Sequence, residues 1–256
     1  AAWFVQDSWK PAQSVLIEAG VRFDWDSLTG SGSWAPRLGV SWAPPRLEST
    51  KVSAGYGIVT EQSNLQLFSR PLDQYLLTTY YGPDGAYGPA ISIFLPAGRP
   101  LTMPRYTHWS AGVEHRFPHD LSAGVRYTGR RGGNGLMYID TLGSSGAPAG
   151  FTGAENAVFE AVYRLSNTRR DVYDAVQVTV RQTFRRQYEW LASYTRSRAR
   201  SNAVIDIGAE NPLVAAENSG PMPWDSPNRF LGWGYLPTIW EDWAVAFLVE
   251  ARDGYP

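Results

Sequence analysis

Between Val15 and Trp25 every second residue is apolar. Val15, Ile17, Ala19, Val21, Phe23 and Trp25 alternate with Leu16, Glu18, Gly20, Arg22 and Asp24. Side chains of a strand point to opposite faces in turn, so this segment has one continuously apolar face and one that carries charge. The same unit recurs along the chain: an alternating strand, a very short turn, a second alternating strand, then a connection that is mostly long. The pattern predicts an all-β fold, an antiparallel transmembrane β-barrel with lipid on one face and a watery lumen on the other.

About ten strands are expected, at residues 2–9, 14–26, 34–43, 51–61, 106–117, 121–130, 172–184, 188–198, 227–236 and 242–251. The short turns 10–13, 44–50, 118–120, 185–187 and 237–241 would face the periplasm. The segments 62–105, 131–170 and 199–225 would be outer loops, with a shorter one at 27–33. A soluble β-sandwich also alternates. Its strands usually run only ~5–6 residues, whereas membrane strands need ~9–11. The expected strands match the second length.

Composition narrows the function classes. There is no cysteine, which excludes disulfides and Cys-ligated metal centres. The formal net charge of −1 gives no general attraction to nucleic acid. No run approaches the ~20 apolar residues of a membrane helix. Eleven Trp and fourteen Tyr suit the aromatic girdles of a barrel. Residue 1 is not Met, and Asp253-Gly254-Tyr255-Pro256 reads as a loop. The expectation is one incomplete barrel segment, residues 1–256, cut from a longer protein.

Short motifs point to a family. Trp3-Phe4-Val5-Gln6-Asp7-Ser8-Trp9 resembles the F-x-Q-D-x-W strand of TonB-dependent outer-membrane receptors. Val21-Arg22-Phe23-Asp24, then Trp34 to Trp42 with its Pro36-Arg37-Leu38-Gly39, then Val52-Ser53-Ala54-Gly55-Tyr56-Gly57 resemble the strands that follow in that family, in order. Tyr173-Asp174-Ala175-Val176-Gln177-Val178 and Ala192-Ser193-Tyr194-Thr195-Arg196-Ser197 are similar to a pair typical of members with an N-terminal carboxypeptidase-regulatory-like domain. The resemblance implies part of a barrel of about 22 strands, in the outer membrane, importing a ligand such as a siderophore or an oligosaccharide. It also implies partners outside this chain: a plug domain inside the barrel, and the inner-membrane TonB complex reached through an absent N-terminal part. Nothing here resembles the plug or a TonB box.

Candidate site residues fall in two groups. The loop 62–105 carries Tyr75, Tyr80, Tyr81 and Tyr87 near Asp73, Asp84 and Arg99. With Trp224 of the third loop, these aromatics are the ligand-binding candidates, offering stacking area with a polar tip. The alternative is that the loop packs on itself. Strand parity turns Glu18, Arg22, Asp24, Arg37, Glu114, Arg116, Arg126 and Arg181 toward the lumen, where charges pair with each other, with water or with a plug. Asp7 and Glu61 are expected there too.

No catalytic constellation, cofactor motif or metal set emerges. Gly129-Arg130-Arg131-Gly132-Gly133 lacks the strand–helix setting of a phosphate loop. His108, His115 and His119 have no evident partner for nucleophilic or metal chemistry. The reading is therefore not an enzyme. Two other classes remain open: a small complete outer-membrane barrel acting as a pore or hydrolase through His108 or His119, and a soluble Trp-rich carbohydrate-binding β protein.

Overall fold

The computed structural model describes the chain except for residues 48, 74, 80, 87–89, 143–157, 185–187, 205–213, 239–242 and 256. In chain order the first strands are β1 (Ala2–Ala12), β2 (Val15–Asp26), β3 (Ser31–Trp42) and β4 (Thr50–Thr60). A short helix α1 (Leu65–Ser69) and a 3₁₀ turn (Arg70–Asp73) follow. Next come β5 (Leu76–Thr78), β6 (Tyr81–Gly82), β7 (Gly85–Ala86) and β8 (Ala90–Leu95). The chain continues with β9 (Arg105–Phe117), β10 (Leu121–Gly133), β11 (Gly135–Asp140), β12 (Val158–Arg169) and β13 (Asp171–Phe184). It ends with β14 (Tyr188–Val204), β15 (Val214–Pro221), β16 (Asn228–Pro237) and β17 (Ala244–Arg252).

Ten of these form an antiparallel wall in the order β1-β2-β3-β4-β9-β10-β13-β14-β16-β17, and the sheet does not close on itself. The cross-strand register explains why it holds. Residues of one parity meet mostly apolar partners across the middle of the wall. One such row runs Val52, Val113, Val125, Val178, Tyr194 and Phe230 from β4 to β16. Most of this row is solvent-accessible, Val113 at 49% and Val125 at 52%. A band of exposed aliphatics is stable where its neighbour is lipid and costly where it is water. Aromatics mark its edges. Trp34 packs edge-on against Trp3 (5.1 Å) and tilted against Phe23 (5.0 Å) near the outer end. His115–Phe117 and Phe184–Tyr188 lie at the short-turn end.

The turns follow local chemistry. His119 and Asp120 both have positive φ, 64° and 52°, inside the three-residue turn 118–120 that joins the paired residues Phe117 and Leu121. β1 continues past the expected turn to Ala12, with an irregular register after Trp9, so its turn falls at Gln13–Ser14. The expected turn 185–187 and the expected strand start at Asp242 lie outside the described residues.

Two features depart from the sequence expectation. Asp7, expected in the lumen, is not there. The register pairs it with Ala19, one step from the Val5–Val21 and Trp9–Ile17 pairs, on the apolar face. Its parity matches Trp3, Val5 and Trp9, and alternation leaves it no other side. The β3–β4 ladder also stops early, at Arg37↔Gly57, while β2–β3 pairing continues to Ser31. Pro36 stands at that point and has no N–H to donate. Side chains bridge the split instead: Thr60 Oγ1 donates to Asp24 (2.6 Å), Ser63 bonds Asp26, and the Met103 amide donates to Ser31 (3.0 Å).

The three long segments are not open loops. Within them β5, β8, β12, β11 and β15 continue the sheet above the wall, β8 and β12 pairing in parallel. Leu67, Phe94, Leu136, Tyr138 and Leu165 form a buried core there, and Ile91, Ile93 and Val162 a second. Phe94 lies edge-on to Tyr138 (5.1 Å) and stacks on Tyr163 (5.2 Å), and the Tyr138 hydroxyl donates to the Leu67 carbonyl (2.6 Å). The molecule thus has two apolar systems, a surface band on the wall and a buried core in this cap.

Candidate functional site: a cationic, aromatic cavity under the cap

The charged parity of the wall faces a cavity of about 980 Å³ bounded by β9, β10, β13, β14, β16 and β17. One cavity can meet side chains from so many neighbouring strands only if the sheet curls around it. From β9 come Tyr106 and His108, from β10 Arg126, Thr128 and Arg130, from β13 Tyr173 and Gln177. Arg229, Arg252 and Tyr255 approach from the last two strands and the residues beyond, and Trp224 from the β15–β16 connection.

Its upper wall is a buried polar knot. Asp171 accepts from the Tyr106 hydroxyl (2.6 Å), from Arg169 (2.6 and 3.2 Å) and from Ser201 (2.7 Å). Arg169 also donates to the Tyr106 oxygen (2.9 Å) and lies 3.9 Å from Glu61. Burial works against the Arg169 charge, but the hydrogen bond and charge of Asp171 outweigh it and raise its pKa above the ordinary value. The knot joins three wall strands, β9, β13 and β14, to the cap, because Arg169 ends β12 and Asp171 begins β13. Gly132 is part of its fit: a Cβ there would lie 2.5 Å from the Tyr106 ring and 3.1 Å from the Asp171 Cβ. Gly132→Ala is therefore expected to cost about 1–3 kcal/mol through overpacking, read as a lower urea midpoint in lipid vesicles. An unchanged midpoint would mean that the ring moves freely.

The lower wall is open and positive. The Arg130 guanidinium covers the Tyr106 ring at 3.8 Å, and Arg252 lies over Tyr255 at 4.9 Å. Arg229 pairs with Glu250 (3.0 Å). Among the described residues, Arg126 and Arg130 have no carboxylate partner. Guanidinium forks beside aromatic faces suit a ligand that combines anionic oxygens with flat rings. Among the described residues no cluster of three His, Asp or Glu could hold a metal, and none of the three histidines bonds a carboxylate. His115 Nδ1 lies 2.8 Å from the Thr50 hydroxyl on the lipid face.

The candidate residues scatter around this cavity. Trp224 and Arg126 line it together. Arg22, Asp24 and Arg37 line a second cavity of about 640 Å³ beside the β3–β4 split, where Arg22 donates to Asp24 (2.8 Å). Glu114, Arg126 and Arg181 border a third, of about 340 Å³, lower on the same face. Arg181 pairs with Glu189 there (2.5 Å). Arg116 lies nearer the short turns beside Lys51, and Glu18 is exposed on the same face. Tyr75 (48%) and Tyr81 (81%) are exposed on the cap, away from the cavity. Tyr80, Tyr87 and the side chain of Asp73 lie outside the described residues. Sequence reasoning misses Tyr106, Arg130, Tyr173, Arg229 and Arg252. Arg130 and Arg229 are nonetheless legible, since both continue the inward parity of their strands.

Comparison with known proteins agrees with this geometry. The chain is similar in structure to a variant of the ferric enterobactin receptor PfeA of Pseudomonas aeruginosa in complex with enterobactin. The TM-score is 0.65 and the identity 17%, over 97% of this chain and 32% of that one. It is similar to the siderophore receptor PirA of Acinetobacter baumannii, with TM-score 0.67 and 13% identity, over 99% and 34%. It is also similar to the outer membrane transporter YddB of Escherichia coli, with TM-score 0.62 and 12% identity, over 98% and 37%. The chain thus spans about a third of the length of these proteins, and at such identities the likeness concerns the fold. A search of curated protein sequences finds no match. The family model for the outer membrane β-barrel domain matches residues 28–238. With its lipid-facing row, its aromatic edges and a match covering most of its length, this chain belongs to the outer membrane β-barrel domain family and forms part of a barrel wall in the outer membrane.

Proposed function

We propose that the chain supplies wall and outer cap to a TonB-dependent receptor that imports a nutrient ligand, a siderophore, an oligosaccharide or a similar compound. The observation that carries this reading is the cavity beneath the cap, where Arg126 and Arg130, with no carboxylate partner among the described residues, stand beside Tyr106, Tyr173 and Trp224. The motif series, and the fold shared with siderophore receptors, support the same reading. In it, Glu18, Arg22, Asp24, Arg37, Glu114, Arg116 and Arg181 meet a plug domain, and Arg126 and Trp224 contact ligand. Tyr75, Tyr80, Tyr81 and Tyr87 provide first contact from the cap. TonB acts through a part of the protein outside this chain. The role is binding and passage rather than catalysis.

The test uses the full-length protein in its own outer membrane, with radio-iron-loaded catecholate siderophore and labelled maltodextrin as probes. Saturable uptake of one probe that stops when TonB is removed is expected. Arg126→Gln with Arg130→Gln should lower uptake at limiting probe by roughly tenfold, through loss of two charge-assisted contacts. Uptake of both probes without saturation, unaffected by TonB, would make the protein a pore and end the proposal.

A further inference from the structure

A second group of arginines lies on the opposite face of the wall. On β14, Arg196, Arg198 and Arg200 share the parity of Tyr194 and Ala192, the face of the apolar band. Arg131 of β10 lies at the same level, since it and Arg200 are both partners of Val172. Arg196 stands level with Val176, its register partner, while Arg198, Arg200 and Arg131 stand beyond it, on the side of the long connections. In a barrel whose short turns face the periplasm, that is the headgroup level of the outer leaflet.

The carboxylates near this group are already engaged. Asp174 binds Arg131 through both oxygens (3.0 and 2.8 Å), Asp225 accepts the Ala199 amide (3.0 Å), and Asp253 accepts from Asn228 (2.6 Å). Arg196 reaches only the neutral Asn228 Oδ1 (2.8 Å), shared with the Tyr194 hydroxyl, and Arg198 has no ion-pair partner among the described residues. Both are exposed. They border an outward-facing groove of about 440 Å³ with Tyr127, Val176 and Pro227.

We propose that this groove binds a phosphorylated glycolipid of the outer leaflet. Its phosphate would take the free donors of Arg196 and Arg198, its sugar hydroxyls would meet Tyr127 and Asn228, and its acyl chains would lie along Val176, Val178 and Phe230. Charge complementarity selects the headgroup, because a guanidinium fork matches a phosphate and the apolar rows below match chains and not a soluble anion. The site is separate from the cavity and does not depend on transport.

The test purifies the full-length protein in detergent and measures retention of diphosphoryl lipid A by native mass spectrometry. The expected result is bound lipid A on the parent and on Arg46→Gln, a control in a short turn. Arg196→Gln with Arg198→Gln should reduce retention about tenfold, and Arg196→Lys with Arg198→Lys should restore part of it. Heat-modifiable gel mobility checks that each variant is folded. Competition by millimolar inorganic phosphate would assign the groove to a free anion and overturn the proposal. Equal retention by the glutamine variant, or of a dephosphorylated glycolipid by the parent, would overturn it as well.

Discussion

Val178→Arg is expected to prevent assembly of the barrel in lipid. Val178 stands midway along β13, flanked by Val125 and Tyr194, in a row that is exposed in the isolated chain. If the neighbour of that row is a bilayer, a cation at mid-depth costs about 2–4 kcal/mol. That is a large share of what holds a domain together. The natural control is one residue away. Thr179 points to the other face, opposite Gly124, beside a cavity that already holds Glu114 and Arg181. Thr179→Arg should assemble nearly as well as the parent. The measurement is the fraction of full-length protein reaching the heat-modifiable folded form in vesicles. Equal yields for the two variants would mean that the Val178 face meets water, and the transmembrane reading would fall.

Asp171→Ala has the second large effect, in a different place. Its carboxylate is the only full-strength partner of Arg169 among the described residues, since Glu61 lies 3.9 Å away. Both side chains are well buried, at 13% and 8% exposure. Removing one member of such a pair leaves a buried charge, which costs about 3–5 kcal/mol, and it takes away the acceptor of the Tyr106 and Ser201 hydroxyl protons as well. The loss should appear locally. Amide exchange should accelerate in β8, β11 and β12, which the knot ties down, while the mid-wall amides of β10 and β13 stay protected. Replacing both partners with apolar residues, Arg169→Met with Asp171→Leu, should recover part of the stability, because no charge is then stranded. Uniform acceleration across wall and cap would show that the knot serves the whole barrel and is not a latch on the cap.

Much of the wall is legible in the amino-acid sequence. Each strand writes its two faces into its own residues, as Val15 to Trp25 does, and the turn at His119–Asp120 announces itself by length alone. The reading fails where charge and parity disagree, or where a neighbour decides. Charge is expected to follow water, which puts Asp7 in the lumen, yet the parity it shares with Trp3 and Trp9 leaves it no choice. The β3–β4 split depends on what Pro36 fails to donate to the adjacent strand, which a reading of single strands does not register. The loop aromatics Tyr75 and Tyr81 are exposed on the cap and do not line the cavity, a placement that no strand period specifies.

Sequence alone therefore determined the wall: its strands, their faces and the band that meets lipid. A period of two is a local property, and a bilayer imposes the same demand on every strand. Tertiary structure alone decided the cap and the cavity beneath it. Leu67, Phe94, Tyr138 and Leu165 have no shared period, and Tyr106 and Asp171 are 65 residues apart when they bond. Such contacts exist only once distant segments have been brought together, so their energy is invisible in any one stretch of chain.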